Sequence, residues 1–252
     1  MPSNPDRARC LIVTRPEPEL QRTADRLAAR GYRVLKAPCT RIRPLATAFP
    51  EPGATAEIVI PSPRCLRFLA PRLRRRDSRL WCVGPESTRL AYSYEFRNLE
   101  TAPRPGLEAL ASHMARTLPA QTQILAPGAA HRAYDMSRVA DRAYGTDADE
   151  NPLIQTGFTV HRINLYEAVP VSGLSAEIAS ALINAETPEI LFYSARTARI
   201  FESLSRAAGV VEELARARAL CLSERVLNSL QENWGTAVCA ADPSEEGLWK
   251  EL

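Results

Sequence analysis

Glu57-Ile58-Val59-Ile60-Pro61-Ser62-Pro63-Arg64-Cys65-Leu66-Arg67-Phe68 returns later as Glu189-Ile190-Leu191-Phe192-Tyr193-Ser194-Ala195-Arg196-Thr197-Ala198-Arg199-Ile200, with the acid, the apolar run, the serine and both arginines in register. Each apolar run is short and continuous, which predicts a buried strand. The serine at its end is placed to cap a following helix, with the two arginines on that helix's first turns. Backbone N–H groups at a helix start, a hydroxyl and nearby guanidinium groups make an anion-binding arrangement. The chain has it twice.

The echo extends outward. Leu11-Ile12-Val13 and a helix closing at Gly31-Tyr32-Arg33-Val34 correspond to Ile124-Leu125 and Gly157-Phe158-Thr159-Val160, and Trp81-Cys82-Val83-Gly84-Pro85-Glu86 corresponds more loosely to Leu220-Cys221-Leu222-Ser223-Glu224. Gly106-Leu107-Glu108-Ala109-Leu110 answers Gly247-Leu248-Trp249-Lys250-Glu251-Leu252. The pattern is a duplicated α/β unit of about half the chain, and duplication alone puts a boundary near residue 119.

Strands and helices alternate. A strand over 9–14 precedes a helix from about Glu17 to Arg30, with Leu20, Ala24, Leu27 and Ala28 on one face and Gly31 as its stop. Segments 57–60, 64–74, 80–83, 86–92 and 107–118 continue the alternation, which predicts parallel sheets covered on both faces by helices. Pro38 to Pro44 and His161 to Pro170 are matching extended segments, together a two-stranded hinge. The stretch Asp141 to Pro152 lacks an apolar period and predicts an exposed loop insertion.

At 252 residues, 45% hydrophobic and 24% charged, the chain can build two globular cores. Its polar start lacks a signal peptide's apolar stretch, and no segment approaches the roughly 18 apolar residues of a membrane span, which predicts a cytoplasmic protein without membrane contact. Cys10, Cys39, Cys65, Cys82, Cys221 and Cys239 are scattered, as expected of reduced and mostly buried thiols. His113, His131 and His161 are isolated, so no metal site is expected. A net charge of +3 is too weak to argue for nucleic acid. Lys36 and Lys250 are the only lysines; GC-rich coding explains the arginine excess, although arginine also suits bidentate carboxylate binding. The run Arg72-Leu73-Arg74-Arg75-Arg76 is expected to be a solvated helix end. Thr14-Arg15-Pro16-Glu17 holds no glycine, against a dinucleotide-binding turn.

Together these residues resemble the uroporphyrinogen-III synthase family. The resemblance rests on the opening strand with Thr14-Arg15-Pro16, the helix ending at Gly31, the Pro38 to Pro44 connector, the strand ending at Ser62, Val83-Gly84-Pro85 and Gly106-Leu107. It continues through Gly157-Phe158 leading to Tyr166, Phe192-Tyr193-Ser194 and Ser223-Glu224-Arg225, so it covers nearly the whole chain. The fold it implies is α/β, with two similar domains joined by an extended hinge and a chain that crosses over and returns. One domain would comprise residues 1–37 with 170–252, the other 43–163, and the hinge strands 38–42 and 164–169. The implied substrate, held in a cleft between domains, is hydroxymethylbilane, the linear tetrapyrrole closed to uroporphyrinogen III. The resemblance further implies a monomer without a cofactor, in transient contact with the hydroxymethylbilane synthase.

Such a substrate carries eight carboxylates, which hydroxyls, helix N-termini and arginines would bind. Ser62 and Ser194 are the chief candidates, with Arg64 and Arg196 beside them. Thr14 and Ser87 stand at comparable turns, where the plain alternative, as for Ser62 and Ser194, is a helix cap; Arg15 and Ser223 are further candidates for substrate binding. By resemblance Tyr166 faces the substrate and assists departure of the terminal hydroxyl, a general-acid role; the alternative is a hinge residue that packs its ring and wets its hydroxyl. The chain departs from the family pattern in three places. Val226 stands where a threonine is usual, leaving Ser223 to serve; Ala126-Pro127-Gly128 replaces an arginine-glycine, leaving Arg132 as a substitute; and the 141–152 insertion falls in the middle domain. A catalytically silent module that binds a tetrapyrrole or other polyanion is the competing reading.

Overall fold

Leu11, Ile12 and Val13 are fully buried, as a strand covered on both faces requires. A computed structural model describes residues 10–49, 56–104, 106–130 and 152–252. The chain divides into two units, Met1–Ile42 with Val169–Leu252, and Arg43–Ala168. It opens with β1 (Cys10–Val13), α1 (Glu19–Ala28) and β2 (Arg33–Lys36), then enters the second unit along β3 (Thr40–Pro44). There follow β4 (Glu57–Ile60), α2 (Pro63–Leu69), β5 (Arg79–Cys82), α3 (Pro85–Ser93), β6 (Leu99–Thr101), α4 (Leu107–Thr117), β7 (Gln123–Ala130), α5 (Pro152–Gln155) and β8 (Thr159–Pro170). Back in the first unit come α6 (Ala176–Asn184), β9 (Glu189–Phe192), α7 (Ala195–Ala207), a 3-10 turn (Val211–Arg216), β10 (Arg218–Cys221), α8 (Glu224–Leu227), β11 (Thr236–Cys239) and α9 (Glu245–Trp249). Among the described residues no helix is long and apolar enough to cross a membrane.

The first unit's sheet runs β11-β10-β9-β1-β2 and is parallel throughout. Leu11 and Val13 point to the face packed by Leu20 and Leu27 of α1 and Leu248 and Trp249 of α9. Ile12 points the other way, to Ile178 and Leu182 of α6 and Ala198 and Phe201 of α7. Alternation of side chains along a strand thus divides one apolar run between two cores. The second sheet runs β3-β8-β7-β4-β5-β6, with parallel pairing from β8 to β6. Gly31 (φ +86°) and Gly157 (φ +85°) close the matching helices of the two halves, in a backbone region that a side chain disfavours.

The repeated acid is structural in both units. Glu57 lies opposite Arg79 across β4 and β5 and accepts from Trp81 Nε1. Glu189 lies opposite Arg218 across β9 and β10 and accepts from its Nη1 at 2.9 Å. Each buried carboxylate therefore meets its cation at the amino end of the strands, opposite the edge where the serines lie.

Three expectations need correction. Thr23, not Ala28, completes the buried face of α1: both flank the Leu20, Ala24 and Leu27 stripe at similar angles, but Thr23 is buried and Ala28, at the last residue of the helix, is exposed. The helix expected over 64–74 ends at Leu69. The arginine run beyond it is not a solvated helix end: Arg72 donates to the Leu45 and Leu165 carbonyls (2.6 and 3.3 Å), and Arg76 lies over the Phe96 ring at 4.7 Å. Both arginines lie beyond the end of α2, where their guanidinium groups donate to nearby main-chain carbonyls. The insertion read over 141–152 falls outside the described residues up to Asn151, as do Arg132 and His131.

Candidate active site

Strand order reverses at one place in each sheet. In the first unit β1 leads to β2 on one side and has β9, β10 and β11 on the other; in the second, β7 leads to β8 on one side and has β4, β5 and β6 on the other. Loops diverge beyond the carboxyl ends of the strands at such a reversal and leave a crevice suited to ligands. Ser194 follows β9 beside β1, and Ser62 follows β4 beside β7. Both repeated serines occupy the reversal.

Both are helix caps as well. Ser62 accepts from the Cys65 N–H at 3.4 Å, and Ser194 from the Thr197 N–H at 3.2 Å, each on extended backbone. Ser194 Oγ also lies 2.8 Å from Thr197 Oγ1 and is exposed. Cys65 Sγ donates to the Pro127 carbonyl at 3.0 Å, which fastens the first turn of α2 over β7.

The charge on these two helix starts differs from that of six other described helices. α1, α3, α4, α6, α8 and α9 each place glutamate in the first turn, as the positive end of the helix dipole favours. α2 and α7 have no acid there and carry Arg64 and Arg196 instead. A cation at this place opposes the dipole, and an incoming anion offsets that cost.

Around the β1–β9 reversal, Thr14 is fully buried and its hydroxyl donates to the Leu191 carbonyl at 2.7 Å. It ties two strands together rather than capping α1, whose N-cap is Pro18. The Arg15 guanidinium lies 4.4 Å above the Tyr193 ring and donates to Glu245 Oε1 at 2.8 Å. At the next strand end Ser223 takes the N-cap of α8 without a side-chain cap bond, while Val226 is buried in the core beside Phe192 and Phe201. Ser87 is buried in the first turn of α3, behind the Gly84 N-cap.

Tyr166 owes its placement to a bulge. Pairing of β7 with β8 steps from Gly128–Asn164 to Ala129–Tyr166, leaving Leu165 as the extra residue. Strict alternation would send neighbouring residues to opposite faces; the bulge re-aims them, and Leu165 and Tyr166 are both buried. The Leu165 carbonyl accepts from the Leu45 N–H at 2.9 Å. The Tyr166 ring stacks on Phe68 of α2, with centroids 4.7 Å apart and planes at 22°. The second unit therefore places Tyr166 beside the helix that Ser62 caps.

Residues 21–250 match the sequence profile of the family described as uroporphyrinogen-III synthase HemD. The chain belongs to the uroporphyrinogen-III synthase family. Among solved structures, the uroporphyrinogen-III synthetase of Helicobacter pylori is 14% identical, with 96% of this chain and 97% of that one covered and a TM-score of 0.60, a likeness of fold. A mutant uroporphyrinogen-III synthase of the extremely thermophilic bacterium Thermus thermophilus is 15% identical, with 96% and 95% covered and a TM-score of 0.46. No curated protein matches the chain.

Within this uroporphyrinogen-III synthase fold, sequence reasoning passed over Tyr193. Its hydroxyl accepts from Trp249 Nε1 at 3.3 Å, and burial pushes its pKa up to about 12. An unfolded tyrosine ionises near pH 10, so the folded state binds more protons between the two values. Stability linked to Tyr193 is therefore complete below pH 10 and lost as pH rises through about 12. Urea unfolding midpoints measured from pH 9 to 12 are expected to fall, with a shallower fall in Tyr193→Phe.

Proposed function

We propose that the chain closes hydroxymethylbilane to uroporphyrinogen III, with loss of water and inversion of the last pyrrole ring. Family membership supports this reading, and the observation that carries it is the pair of arginine-bearing, serine-capped helix starts at the two strand-order reversals. Eight carboxylates call for several cationic and N–H-rich sites. Ser62 with Arg64 supplies one, and Ser194 with Arg196 another. Arg15 and Ser223 extend the second, Thr14 holds the strands beneath it, and Ser87 lies in the turn after β5.

In the reaction the carbon–oxygen bond of the terminal hydroxymethyl group breaks, giving an azafulvene and, with one proton, water. Tyr166 donates a hydrogen bond or that proton to the departing oxygen. The last ring then attacks the azafulvene through its substituted carbon, and the spiro intermediate fragments and recloses with that ring inverted. No electrons are transferred overall. Holding the two ends of a flexible bilane together accounts for most of the acceleration.

Purified protein given freshly made hydroxymethylbilane is expected to yield the type III isomer without added metal or nucleotide. If only the spontaneously formed type I ring appears, the chain is a silent tetrapyrrole-binding module, a reading that the buried Val226 in place of a threonine favours. Ser194→Ala is expected to lose about 1 kcal/mol of stability as a cap and also to raise KM. An unchanged KM would leave Ser194 as a cap alone.

A further inference from the structure

The carboxyl-terminal helix has no role in the chemistry above, yet its side chains converge on the β1–β9 reversal. Glu245 Oε1 accepts from Arg15 Nη1 (2.8 Å) and from Thr23 Oγ1 (2.6 Å), while its Oε2 accepts from Arg26 Nη1 (2.5 Å). Trp249, one turn on, is buried and donates to the Tyr193 hydroxyl. Its ring lies under the Arg26 and Arg30 guanidinium groups at 4.4 and 4.5 Å. Gly247 lets α9 seat: a Cβ there would lie 2.1 Å from the Asp242 carbonyl oxygen, and Ser244 caps the turn by accepting from the Gly247 N–H at 3.0 Å.

Arg15 is thereby fixed on two sides. Tyr193 supports one face of the guanidinium, and the hydrogen bonds from Nη1 to Glu245 and Thr23 set its rotation in the plane. Its side chain keeps 25% exposure. A planar guanidinium held by one nitrogen presents its remaining N–H groups in a fixed fork, the geometry that matches a carboxylate. Ordering a long arginine side chain before the ligand arrives removes a cost that binding would otherwise bear.

We propose that Glu245 is a positioning residue, and α9 its carrier, for a substrate carboxylate bound by Arg15. The proposal rests on the functional reading above in that the ligand is an acidic tetrapyrrole. Thr23 and Tyr193 are the other supports of the same guanidinium. The carboxyl-terminal segment thus sets affinity for the substrate's acid groups without touching the reacting carbons.

Binding of the aromatised eight-carboxylate porphyrin, uroporphyrin III, measured by calorimetry on the full chain, tests this whether or not turnover is seen. Glu245→Ala and Arg15→Met are each expected to weaken binding about tenfold, and the double variant no further than either alone, because both remove one interaction. Glu245→Gln, which keeps the acceptor oxygen for Arg15 and Thr23, is expected to retain most of the affinity. Where the wild type turns over, Glu245→Ala is expected to raise KM with kcat within twofold. Additive losses in the double variant, wild-type affinity in Arg15→Met, or no binding by the wild type would each overturn the proposal. Porphyrin binding that follows the expected pattern without type III product would sink the enzymatic reading alone. Thermal midpoints of all variants separate a loosened helix from a lost contact; should Glu245→Ala unfold, the Gln and Arg15 variants carry the test.

Discussion

Tyr166→Phe is expected to slow formation of the type III isomer at least tenfold while leaving the unfolding midpoint nearly unchanged. The phenylalanine ring keeps the stack on Phe68 and the buried position on β8, so the packing contribution survives. What disappears is the hydroxyl, and with it the proposed donor to a departing oxygen. General acid assistance is worth about a hundredfold or more in well-placed cases, and a hydrogen bond without full proton transfer gives less. Initial rates with fresh hydroxymethylbilane, with products separated by isomer, provide the measurement. An unchanged rate would return Tyr166 to the role of a packed strand residue.

The largest expected effect on stability is at Glu202. This buried residue on α7 receives the N–H groups of Gln231, Glu232 and Trp234 Nε1 on one carboxylate oxygen, at 2.9, 3.1 and 2.9 Å. Trp234 in turn packs edge-on against Phe192, with ring centroids 5.6 Å apart. Glu202→Ala leaves three donors without their acceptor, and bonds to a charged group are each worth about 1.5–3 kcal/mol. A net loss of about 4 kcal/mol is expected after partial rehydration of those donors, read as a large shift in the urea midpoint. Glu202→Gln, which keeps one carbonyl acceptor, should lose less. Equal losses in the two variants would mean that the hydrogen bonds contribute little beyond packing.

Glu202 lies just beyond the repeated segment, whose second copy ends at Ile200. No glutamate stands two residues after Phe68, where Ala70 is found. Its function depends on a loop about thirty residues downstream, so no short window around it carries a signal. Arg79 and Arg218 were closer to view. The loose correspondence of Trp81-Cys82 with Leu220-Cys221 places these arginines in register too, and the acid that opens each repeat needs a cation when buried. That pairing could have been inferred from the repeat alone.

The site residues divide in the same manner. Ser62 and Ser194 were legible because a cap is local: an extended serine, a helix behind it and an N–H three residues on. The reversed charge of α2 and α7 was legible for that reason as well. Thr14 was not, because its hydroxyl spends itself on Leu191, remote in sequence and adjacent only once β1 and β9 pair. Arg15 was a candidate by resemblance, but its bond to Glu245 joins the two ends of the chain.

Apolar runs, capped helix starts, glycine stops and the duplication are written in windows of a few residues to a few dozen, because backbone sterics and amphipathic periodicity act over that range. The resemblance to the uroporphyrinogen-III synthase family could therefore be drawn from the bare chain. Strand order, with its reversal beside each repeated serine, follows from which edge a returning segment joins, a competition among contacts that no local pattern encodes. The bulge that buries Leu165 and Tyr166 together, and the docking of α9 against Arg15 and Tyr193, likewise exist only when distant segments meet. Packing turned a list of candidate side chains into two ordered strand edges.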